Sequence, residues 1–461
     1  MTTLRDYVYL GTTQSLCPTC LKLVPAKIIS KEQRVYFRKT CPEHGVVEDF
    51  VCSDVRAYDR HELDEPAKLP LTVATESQKG CPYDCGLCPE HEQHTCVGLA
   101  EITSSCNLKC PMCFASSGPG GKHWTFEEFT RVVDNFVRQE GEPDVLQISG
   151  GEPTIHPEFL RMTRYAYSKP IQVVMINTNG IKIANDPALV EALASMRDRL
   201  EIYLQFDGFA QKTYEALRGE SLTDVKLRAL DALAKHGIRS TLVCTVQHGI
   251  NLGEVGAIVK FGLERPWVRG ASFQPATYVG RHTNPADLEN RVTTPDVVRA
   301  LVEQTGGILT AEDFLPIPCA HPNCHMMTYL YRAGGTAVPV SRFLNLRDNA
   351  DLVANTLVYT PQKAKAIVRA FLDRKDGCCA GSGGCSPVGS SFVETALSEK
   401  LSGAEMFRIT LTAFLDKHIF DTRRVMKCCI AHLLPSGHTV PFCAYNTLYR
   451  DGTVPLPPLK P

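Results

Sequence analysis

Twenty cysteines in 461 residues limit the ways in which this chain can fold. Most of them lie in short groups, and in three of these groups two or three residues separate neighbouring cysteines. The first residues do not resemble a signal peptide, and no run of about 18 apolar residues occurs, so we expect a cytoplasmic protein. In a reducing compartment such cysteine groups bind metals more often than they form disulfides. The chain is therefore expected to fold around several metal centres.

The overall composition is that of an ordinary globular protein. Hydrophobic residues make up 44% of the chain, charged residues make up 21%, and the formal net charge is -1. This near-neutral charge argues against nucleic acid as a partner, because binding to a phosphate backbone requires an excess of basic residues. It is compatible with a small-molecule or lipid substrate and leaves peripheral contact with a membrane open.

Residues 99–283 alternate strand-like and helix-like segments. The strand-like segments are Leu99–Thr103, Val145–Ser149, Ile171–Asn177, Leu200–Phe206, Arg239–Val246 and Gly270–Gln274. The helix-like segments are Phe126–Arg138, Pro157–Tyr167, Pro187–Met196, Leu222–His236 and Leu252–Leu263. Strands that alternate with helices form parallel sheets. Six such units predict an α/β fold with a partial (β/α)6 TIM-like barrel, and a flat doubly wound sheet is the alternative.

Cysteine-rich regions flank this predicted barrel on both sides. We expect a rubredoxin-like or zinc-ribbon lobe over residues 1–70 and an auxiliary iron–sulfur segment over residues 71–98. The barrel follows over residues 99–283, and a C-terminal auxiliary-cluster region covers residues 284–461. The first 98 residues contain few long periodic segments, which is typical of small lobes that a metal stabilises.

Three cysteines follow the first predicted strand with the spacing Cys-x3-Cys-x2-Cys. They are Cys106, Cys110 and Cys113. Three thiolates so close in sequence can hold a [4Fe–4S] cluster and leave one iron without a protein ligand. An open metal position can bind a reacting molecule, as open zinc sites do. A structural zinc knuckle and a cluster with four protein ligands are the alternatives.

Polar segments follow the next three predicted strands. They are Ser149–Thr154, which contains Gly150, Gly151 and Glu152, then Asn177–Gly180 and Gln205–Gly208. The two glycines allow the backbone to approach a ligand closely, and the glutamate can accept hydrogen bonds from an ammonium group. Because the active site of a (β/α) barrel lies at the carboxyl ends of its strands, these segments and the cysteines are predicted to form one site.

This combination resembles the radical S-adenosylmethionine (SAM) superfamily, whose hallmark is a Cys-x3-Cys-x2-Cys loop after the first strand. The resemblance implies that Cys106, Cys110 and Cys113 hold a catalytic [4Fe–4S] cluster whose open iron binds SAM. An electron, supplied by a ferredoxin, a flavodoxin or a reductase, would then cleave SAM to a 5′-deoxyadenosyl radical that attacks an unactivated C–H bond. By the same resemblance the SAM-binding residues are Gly150, Gly151, Glu152, Asn177, Thr178, Gln205 and Gln274.

A second group, Cys81, Cys85 and Cys88, has the same spacing. No predicted strand precedes this group, and no Gly-Gly-Glu segment follows it by one βα unit. Cys96 supplies a fourth ligand, so we expect a closed auxiliary [4Fe–4S] cluster suited to electron transfer or to structure. Zinc bound by some of these cysteines and a nearby histidine is the alternative.

The first cysteines form two knuckles separated by a predicted hairpin. Cys17 and Cys20 belong to the first knuckle, and Cys41 and His44 belong to the second. This spacing predicts a mononuclear zinc or iron site of the zinc-ribbon or rubredoxin type, with Cys52 as a rival fourth ligand. Four thiolates would suit iron or zinc, whereas three thiolates and a histidine favour zinc.

The C-terminal cysteines are predicted to form a further cluster. Its candidate ligands are Cys319, Cys324, Cys443 and one of the adjacent pair Cys428 and Cys429, of which we favour Cys429. The loop cysteines Cys378, Cys379 and Cys385 lie in a Gly/Ser-rich segment and are expected to bind no metal. Outside these groups, Cys244 is predicted to be a core thiol, and Arg281 is predicted to face the substrate.

The order of the motifs is similar to that of one radical SAM group. Cys-Pro-x-Cys, Cys-Pro-Glu-His-Gly, Cys-Pro-Tyr-Asp-Cys-Gly-Leu-Cys, the catalytic motif and Pro-Phe-Cys-Ala-Tyr-Asn follow one another as in archaeal tetraether lipid synthases. Members of that group have also been described as radical SAM pterin methylases. The resemblance implies auxiliary [4Fe–4S] clusters, a rubredoxin-like metal and carbon–carbon bond formation. The loop with Cys378 is not part of this pattern.

These observations predict a radical SAM enzyme that forms a carbon–carbon bond at an unactivated carbon. It would couple lipid chains or transfer a methyl group to a pterin-like substrate. One alternative is a radical SAM enzyme that modifies a peptide or RNA. Another is an electron carrier without enzymatic activity, but a carrier would need four ligands at every cluster, and the first motif offers three.

Overall fold

A computed structural model describes residues 4–282, 287–333, 335–374 and 386–460. Cys378, Cys379 and Cys385 lie outside these residues. The described strands form a four-stranded N-terminal sheet and a 12-stranded mixed sheet. No helix within the described residues combines the length and the apolar character that are needed to cross a membrane.

The N-terminal sheet is antiparallel, with its strands in chain order. The strands are β1 (Val8–Leu16), β2 (Leu23–Lys31), β3 (Arg34–Cys41) and β4 (Gly45–Cys52). Its apolar face, which includes Ile28 and Phe37, packs against Phe420 and Leu448 from the end of the chain. The turns after β1 and β3 carry the two cysteine knuckles at the same end of the sheet.

Six parallel strands form the predicted partial barrel, so the α/β prediction is confirmed. The strands are β5 (Val97–Thr103), β6 (Val145–Gly150), β7 (Val173–Thr178), β8 (Leu200–Gln205), β9 (Arg239–Val246) and β10 (Val268–Pro275). The helices between them are α1 (Phe126–Glu140), α2 (Phe159–Tyr167), α3 (Ile181–Asn185), α4 (Pro187–Ala194), α5 (Gln211–Arg218), α6 (Thr223–Lys235) and α7 (Val255–Leu263).

The two faces of these strands differ in polarity, because successive side chains of a strand point to opposite faces. On β8, Ile202 and Leu204 belong to the apolar core that lies under the helices. The alternate residues Glu201, Tyr203 and Gln205 point into the space enclosed by the sheet, which we call the lumen. Along β8 the lumen is therefore lined by polar side chains, unlike a core that is filled with aliphatic residues.

The C-terminal region widens the barrel at both edges. Its strands are β11 (Leu315–Pro316), β12 (His325–Ala333), β13 (Thr336–Pro339), β14 (Met406–Thr412), β15 (Ile430–Leu433) and β16 (Thr439–Pro441). Its helices are α8 (Thr294–Thr305), α9 (Pro361–Asp373), α10 (Pro387–Leu397), α11 (Thr422–Met426) and α12 (Phe442–Ala444). β14 lies parallel to β10, and β15 lies parallel to β5. The structure thus adds two parallel strands to the six that the sequence predicts.

Candidate active site

The loop after β5 carries the three cysteines of the first motif. The backbone N–H of Cys113 donates to the carbonyl of Arg281 at 2.8 Å, and the reverse bond measures 3.0 Å. The guanidinium of Arg281 also donates to the carbonyls of Cys110 at 2.6 Å and of Ser117 at 2.7 Å. Arg281 therefore holds the cysteine loop in place. The sequence had predicted instead that this side chain faces the substrate.

The three thiols are suited to an iron–sulfur cluster. Burial and the nearby Glu152 raise the pKa of the Cys106 thiol to about 12, so the thiolates need a positively charged partner. Burial also raises the pKa of Cys110, and the neighbouring Arg218, which donates to its sulfur, opposes this shift. Soft sulfur ligands with an N–H donor directed at one sulfur fit a [4Fe–4S] cluster with an open iron.

Gly150 and Gly151 lie where the end of β6 crosses the cysteine loop. A Cβ atom on Gly151 would lie 2.2 Å from the carbonyl oxygen of Ser105 and 3.0 Å from the Cβ of Cys106. Gly150 has a φ of 136°, and a Cβ there would lie 2.2 Å from the carbonyl oxygen of Thr103. Both positions require glycine because no side chain fits between the two segments.

Glu152 is buried beside this crossing, with 1% of its surface exposed. Its Oε1 accepts hydrogen bonds from the hydroxyls of Thr154 at 2.6 Å and Thr178 at 2.8 Å, and its Oε2 accepts from the backbone of Asn179 at 2.8 Å. Burial raises the pKa of the carboxyl group, and these hydrogen bonds partly offset the shift. A carboxylate fixed in this way can orient a cationic group of a ligand.

The other residues predicted to bind SAM lie in the same polar network. Asn177 donates to the Ser149 hydroxyl at 3.1 Å, and the side chain of Asn179 connects this strand end to Asn107 of the cysteine loop at 2.7 Å. Gln205 accepts from Lys226 at 3.3 Å. Gln274 donates to the Tyr203 hydroxyl at 3.1 Å. The structure brings Thr178 into contact with Glu152.

The two N-terminal knuckles form a compact set of four ligand atoms. The sulfurs of Cys20 and Cys41 are 3.9 Å apart, and the Nδ1 of His44 lies 3.7 Å from the sulfur of Cys17 and 3.6 Å from that of Cys41. Tetrahedral bonds of about 2.3 Å to sulfur and about 2.1 Å to nitrogen separate ligand atoms by about 3.6 to 3.8 Å. Cys52, the rival ligand, instead directs its thiol to the carbonyl of Asp54.

Comparisons with known proteins agree with this arrangement. Residues 100–262 match the radical SAM superfamily, and residues 9–53 match the HMPTM N-terminal zinc ribbon domain. The chain is 32% identical to the 7,8-dihydro-6-hydroxymethylpterin dimethyltransferase of Methanocaldococcus jannaschii, over 95% of this chain and 94% of that protein. The chain belongs to the radical SAM superfamily. As a radical SAM enzyme it binds SAM and a [4Fe–4S] cluster.

Other similarities of this radical SAM enzyme cover only part of the chain. It is 30% identical to the mycofactocin maturase MftC of Mycobacterium ulcerans, over 37% of this chain and 48% of that protein. The crystal structure of Streptococcus suis SuiB aligns with a TM-score of 0.40 and 18% identity, over 47% of each chain.

The auxiliary cysteines of the enzyme group differently from their order in the sequence. The thiol of Cys85 interacts with Cys81, Cys88 and Cys428. Cys96, predicted as the fourth ligand of that group, instead hydrogen-bonds to Cys429 and lies near Cys319. The structure therefore places Cys96 beside Cys429 and Cys319.

A further set of thiols surrounds Arg424. The Nε of Arg424 lies 3.3 Å from the sulfur of Cys324, and the thiol of Cys443 is a second neighbour of this guanidinium. Cys428 interacts with both Cys443 and Cys324. Cys319 and Cys429 lie near Cys96, and Cys429 also interacts with Cys324. Cys244 is fully buried in the barrel core, as expected of a core thiol.

Sequence reasoning missed two buried cations beside the cysteines of the first motif. Arg218 donates two hydrogen bonds of 2.7 Å to Asp207, and it also interacts with the thiol of Cys110. Lys226 donates to the carbonyl of Asn179 at 2.5 Å, and burial lowers its pKa to about 7. The sequence places Asp207 in the predicted site because it follows β8. Both cations lie on helices, and basic residues are so common on the exposed faces of helices that their burial cannot be predicted from the sequence.

Proposed function

We propose that this radical SAM enzyme replaces a hydrogen of a pterin-like substrate with a methyl group, and so forms a carbon–carbon bond. The main support is the similarity to the Methanocaldococcus jannaschii pterin dimethyltransferase along nearly the full length of both chains. The match of the N-terminal sheet to the HMPTM zinc ribbon adds to it. The other candidate from the sequence, the coupling of lipid chains, requires a lumen that suits an apolar chain.

The lumen next to the cysteines suits a polar heterocycle better than a lipid chain. The Tyr203 hydroxyl donates to Ser272 at 2.7 Å and accepts from Gln274 at 3.1 Å, which leaves amide groups directed at the lumen. A pterin ring carries several donors and acceptors that can pair with these groups. A hydrocarbon chain would offer no partner to the carbonyl oxygen of the Gln274 amide, and a buried polar group without a partner costs about 1–3 kcal/mol. This polar lining therefore favours a pterin over a lipid chain.

We propose three tasks for the residues of the chain in this reaction. Cys106, Cys110 and Cys113 would hold the cluster, which when bound would supply the electron that cleaves SAM. Glu152 is proposed to hold the amino group of SAM, because its two oxygens lie in a fixed orientation at the cysteine loop. The strands β14 and β15 cover the barrel edges and so exclude water that would quench a reactive intermediate.

The remaining metal sites are also proposals. We infer that the N-terminal site holds zinc, since a ligand set of three cysteines and His44 favours zinc over iron. Auxiliary [4Fe–4S] clusters are proposed at Cys81, Cys85 and Cys88 and among the C-terminal cysteines. A reduced ferredoxin or flavodoxin is proposed as the electron donor. Replacement of Cys85 by alanine should lower the iron content by about four atoms per chain and leave part of the SAM cleavage.

The test is an anaerobic assay of the reconstituted enzyme with SAM, dithionite and 7,8-dihydro-6-hydroxymethylpterin. Mass spectrometry should find 5′-deoxyadenosine together with a methylated pterin, and a deuterated SAM methyl group would reveal whether SAM is the methyl donor. Cys110→Ala should abolish both products. Formation of 5′-deoxyadenosine with no change in the pterin, in a preparation with verified clusters, would contradict the proposed substrate.

A further inference from the structure

A cavity of about 280 Å³ occupies the amino end of the barrel lumen. Val145, Val173 and Glu201, which stand at or near the starts of β6, β7 and β8, form one side of it. Residues of the C-terminal region, among them Leu344 and Ile367, form the other side. The catalytic cysteines follow the carboxyl end of β5, so the cavity lies at the opposite end of the same lumen.

The depth of the lumen fits an elongated ligand. Gln205 and Glu201 both point into the lumen from β8 and are four residues apart. At about 3.3 Å per residue, they lie about 13 Å apart along the strand. A ligand that reacts at the level of Gln205 reaches the cavity only if an arm extends from its ring. The bare bicyclic ring of a pterin would leave the cavity to water.

Most of the cavity wall is apolar. Leu315, Met327 and Val353 line it together with Tyr329 and Tyr359, whose rings meet edge to face at 5.7 Å. An arm that fills such a space gains from the burial of apolar surface. Aromatic and sulfur-containing walls favour a flat ring over a branched polar group.

Three arginines give the polar part of the wall an excess of positive charge. Arg239, Arg269 and Arg408 line the cavity, and the described lining residues include two carboxylates, those of Glu201 and Asp313. Of these, Asp313 is bound by Arg342 at 2.7 Å. Glu201 lies 3.7 Å from Arg408 and accepts from Thr241 at 2.6 Å. One carboxylate therefore faces three guanidinium groups.

Two of these guanidinium groups lack part of their hydrogen bonding. The Nε atoms of Arg239 and Arg269 are buried and have no partner among the described residues. Burial and the charge of Arg239 lower the pKa of Arg269 to about 10, which indicates that the two cations repel each other. An anion between them would relieve the repulsion and accept the free N–H groups.

We propose that the cavity binds an arm of the substrate that is flat and apolar along its length and carries an anionic group at its end. This inference rests on the proposed pterin substrate and specifies its side chain. Arg269 and Arg239 bind the anion, and the apolar wall binds the ring of the arm. An aryl carboxylate attached to the pterin has this chemistry.

Three probes separate the contributions of the ring and of the charge. They are 7,8-dihydro-6-hydroxymethylpterin, which has no arm, 7,8-dihydropteroate, whose aryl arm ends in a carboxylate, and the neutral amide of dihydropteroate. Equilibrium dialysis against the reconstituted enzyme with SAM, without a reductant, measures binding independently of turnover. We expect dihydropteroate to bind at least tenfold more tightly than either of the other two.

Variants connect the effect to the cavity. Arg269→Gln and Arg239→Gln should each abolish most of the preference for the carboxylate over the amide, whereas the exposed Arg161→Gln should retain it. Gly403→Ala is a second test, which moves Arg269 without removing its charge. A Cβ at position 403 would lie 1.4 Å from a nitrogen of the Arg269 guanidinium and would displace it. Thermal unfolding of each variant shows whether it is folded.

The outcomes distinguish this inference from the proposed function. Equal affinity for the three probes, or a preference that persists in Arg269→Gln and Gly403→Ala, would overturn the inference. Addition of dithionite then tests the reaction separately. Selective binding of dihydropteroate without methylation would refute the proposed reaction and support the binding site, whereas methylation of all three pterins with equal affinity would do the reverse.

Discussion

Replacement of Gly151 by alanine should disable SAM cleavage through a single steric contact. A Cβ at this position would lie 2.2 Å from the carbonyl oxygen and 2.6 Å from the carbonyl carbon of Ser105. Carbon and carbonyl oxygen atoms in contact stay about 3.3 Å apart, so the cysteine loop must move by about 1 Å. Because Cys106 follows Ser105 directly, this proposed cluster ligand moves with the loop.

Two magnitudes follow from this displacement. A misplacement of about 1 Å near the reacting atoms costs about 100-fold in rate. Overpacking of a buried contact costs about 1–3 kcal/mol of the free energy of unfolding, which a folded protein of this size can tolerate. We therefore expect a folded variant that forms 5′-deoxyadenosine about 100-fold more slowly than the native enzyme. The N-terminal metal should remain, since its ligands lie on another sheet.

The assay compares 5′-deoxyadenosine formation and the thermal midpoint of Gly151→Ala with those of Gly253→Ala. Gly253 also has a φ outside the left-handed region, and a Cβ there meets no atom within 4 Å, so it serves as the matched control. Native rates in Gly151→Ala would refute the argument that the crossing of β6 and the loop positions Cys106. An equal loss in both variants would show that the effect is not specific to the crossing.

Three further predictions concern the loop, the N-terminal metal and acid stability. Arg281→Ala removes the guanidinium bonds to the carbonyls of the cysteine loop and should release cluster iron on dilution, as followed by iron analysis, whereas the exposed Arg161→Ala should not. Cys41→Ser should lose one equivalent of the mononuclear metal, while Cys52→Ser should retain it; equal loss would restore Cys52 as a ligand. Burial lowers the pKa of His432 to about 3 in the folded chain. In the unfolded chain its pKa is about 6.5, so between these two values the unfolded chain binds a proton at His432 and the folded chain does not. Folded stability should therefore fall as the pH drops from 6.5 towards 3, and urea unfolding of His432→Gln should show a smaller fall; equal slopes would contradict this assignment.

The six central strands could be predicted because each is a short β-branched segment bounded by turns and helices. Leu200–Phe206, for example, differs by one residue from β8. The cysteine loop and the Gly-Gly-Glu segment could be placed at one end of the sheet for the same reason, since parallel strands bring their carboxyl ends together. Arg218 and Lys226 could not be found, because helical periodicity does not reveal that a lysine or arginine is buried next to Asp207.

The two edge strands show a different limit of prediction from sequence. β15 has four residues, and its partner β5 lies more than 300 residues earlier in the chain. A pairing of this kind depends on the whole sheet being assembled, and no local pattern specifies it. β14 likewise joins β10 after a long excursion through α8, α9 and α10. The sequence therefore predicts the centre of the barrel and misses the elements that cover its edges.

The pairing of β15 also explains why the auxiliary cysteines do not group by their spacing. Ile430 pairs with Val97, so the residues just before them, Cys429 and Cys96, become neighbours. Cys428 interacts with Cys324 and Cys443 and also with Cys85. A shift of β15 by one residue would exchange the positions of Cys428 and Cys429 along this edge. The proposed auxiliary metal sites thus depend on the register of a barrel edge, and their ligands can be assigned only once that register is known.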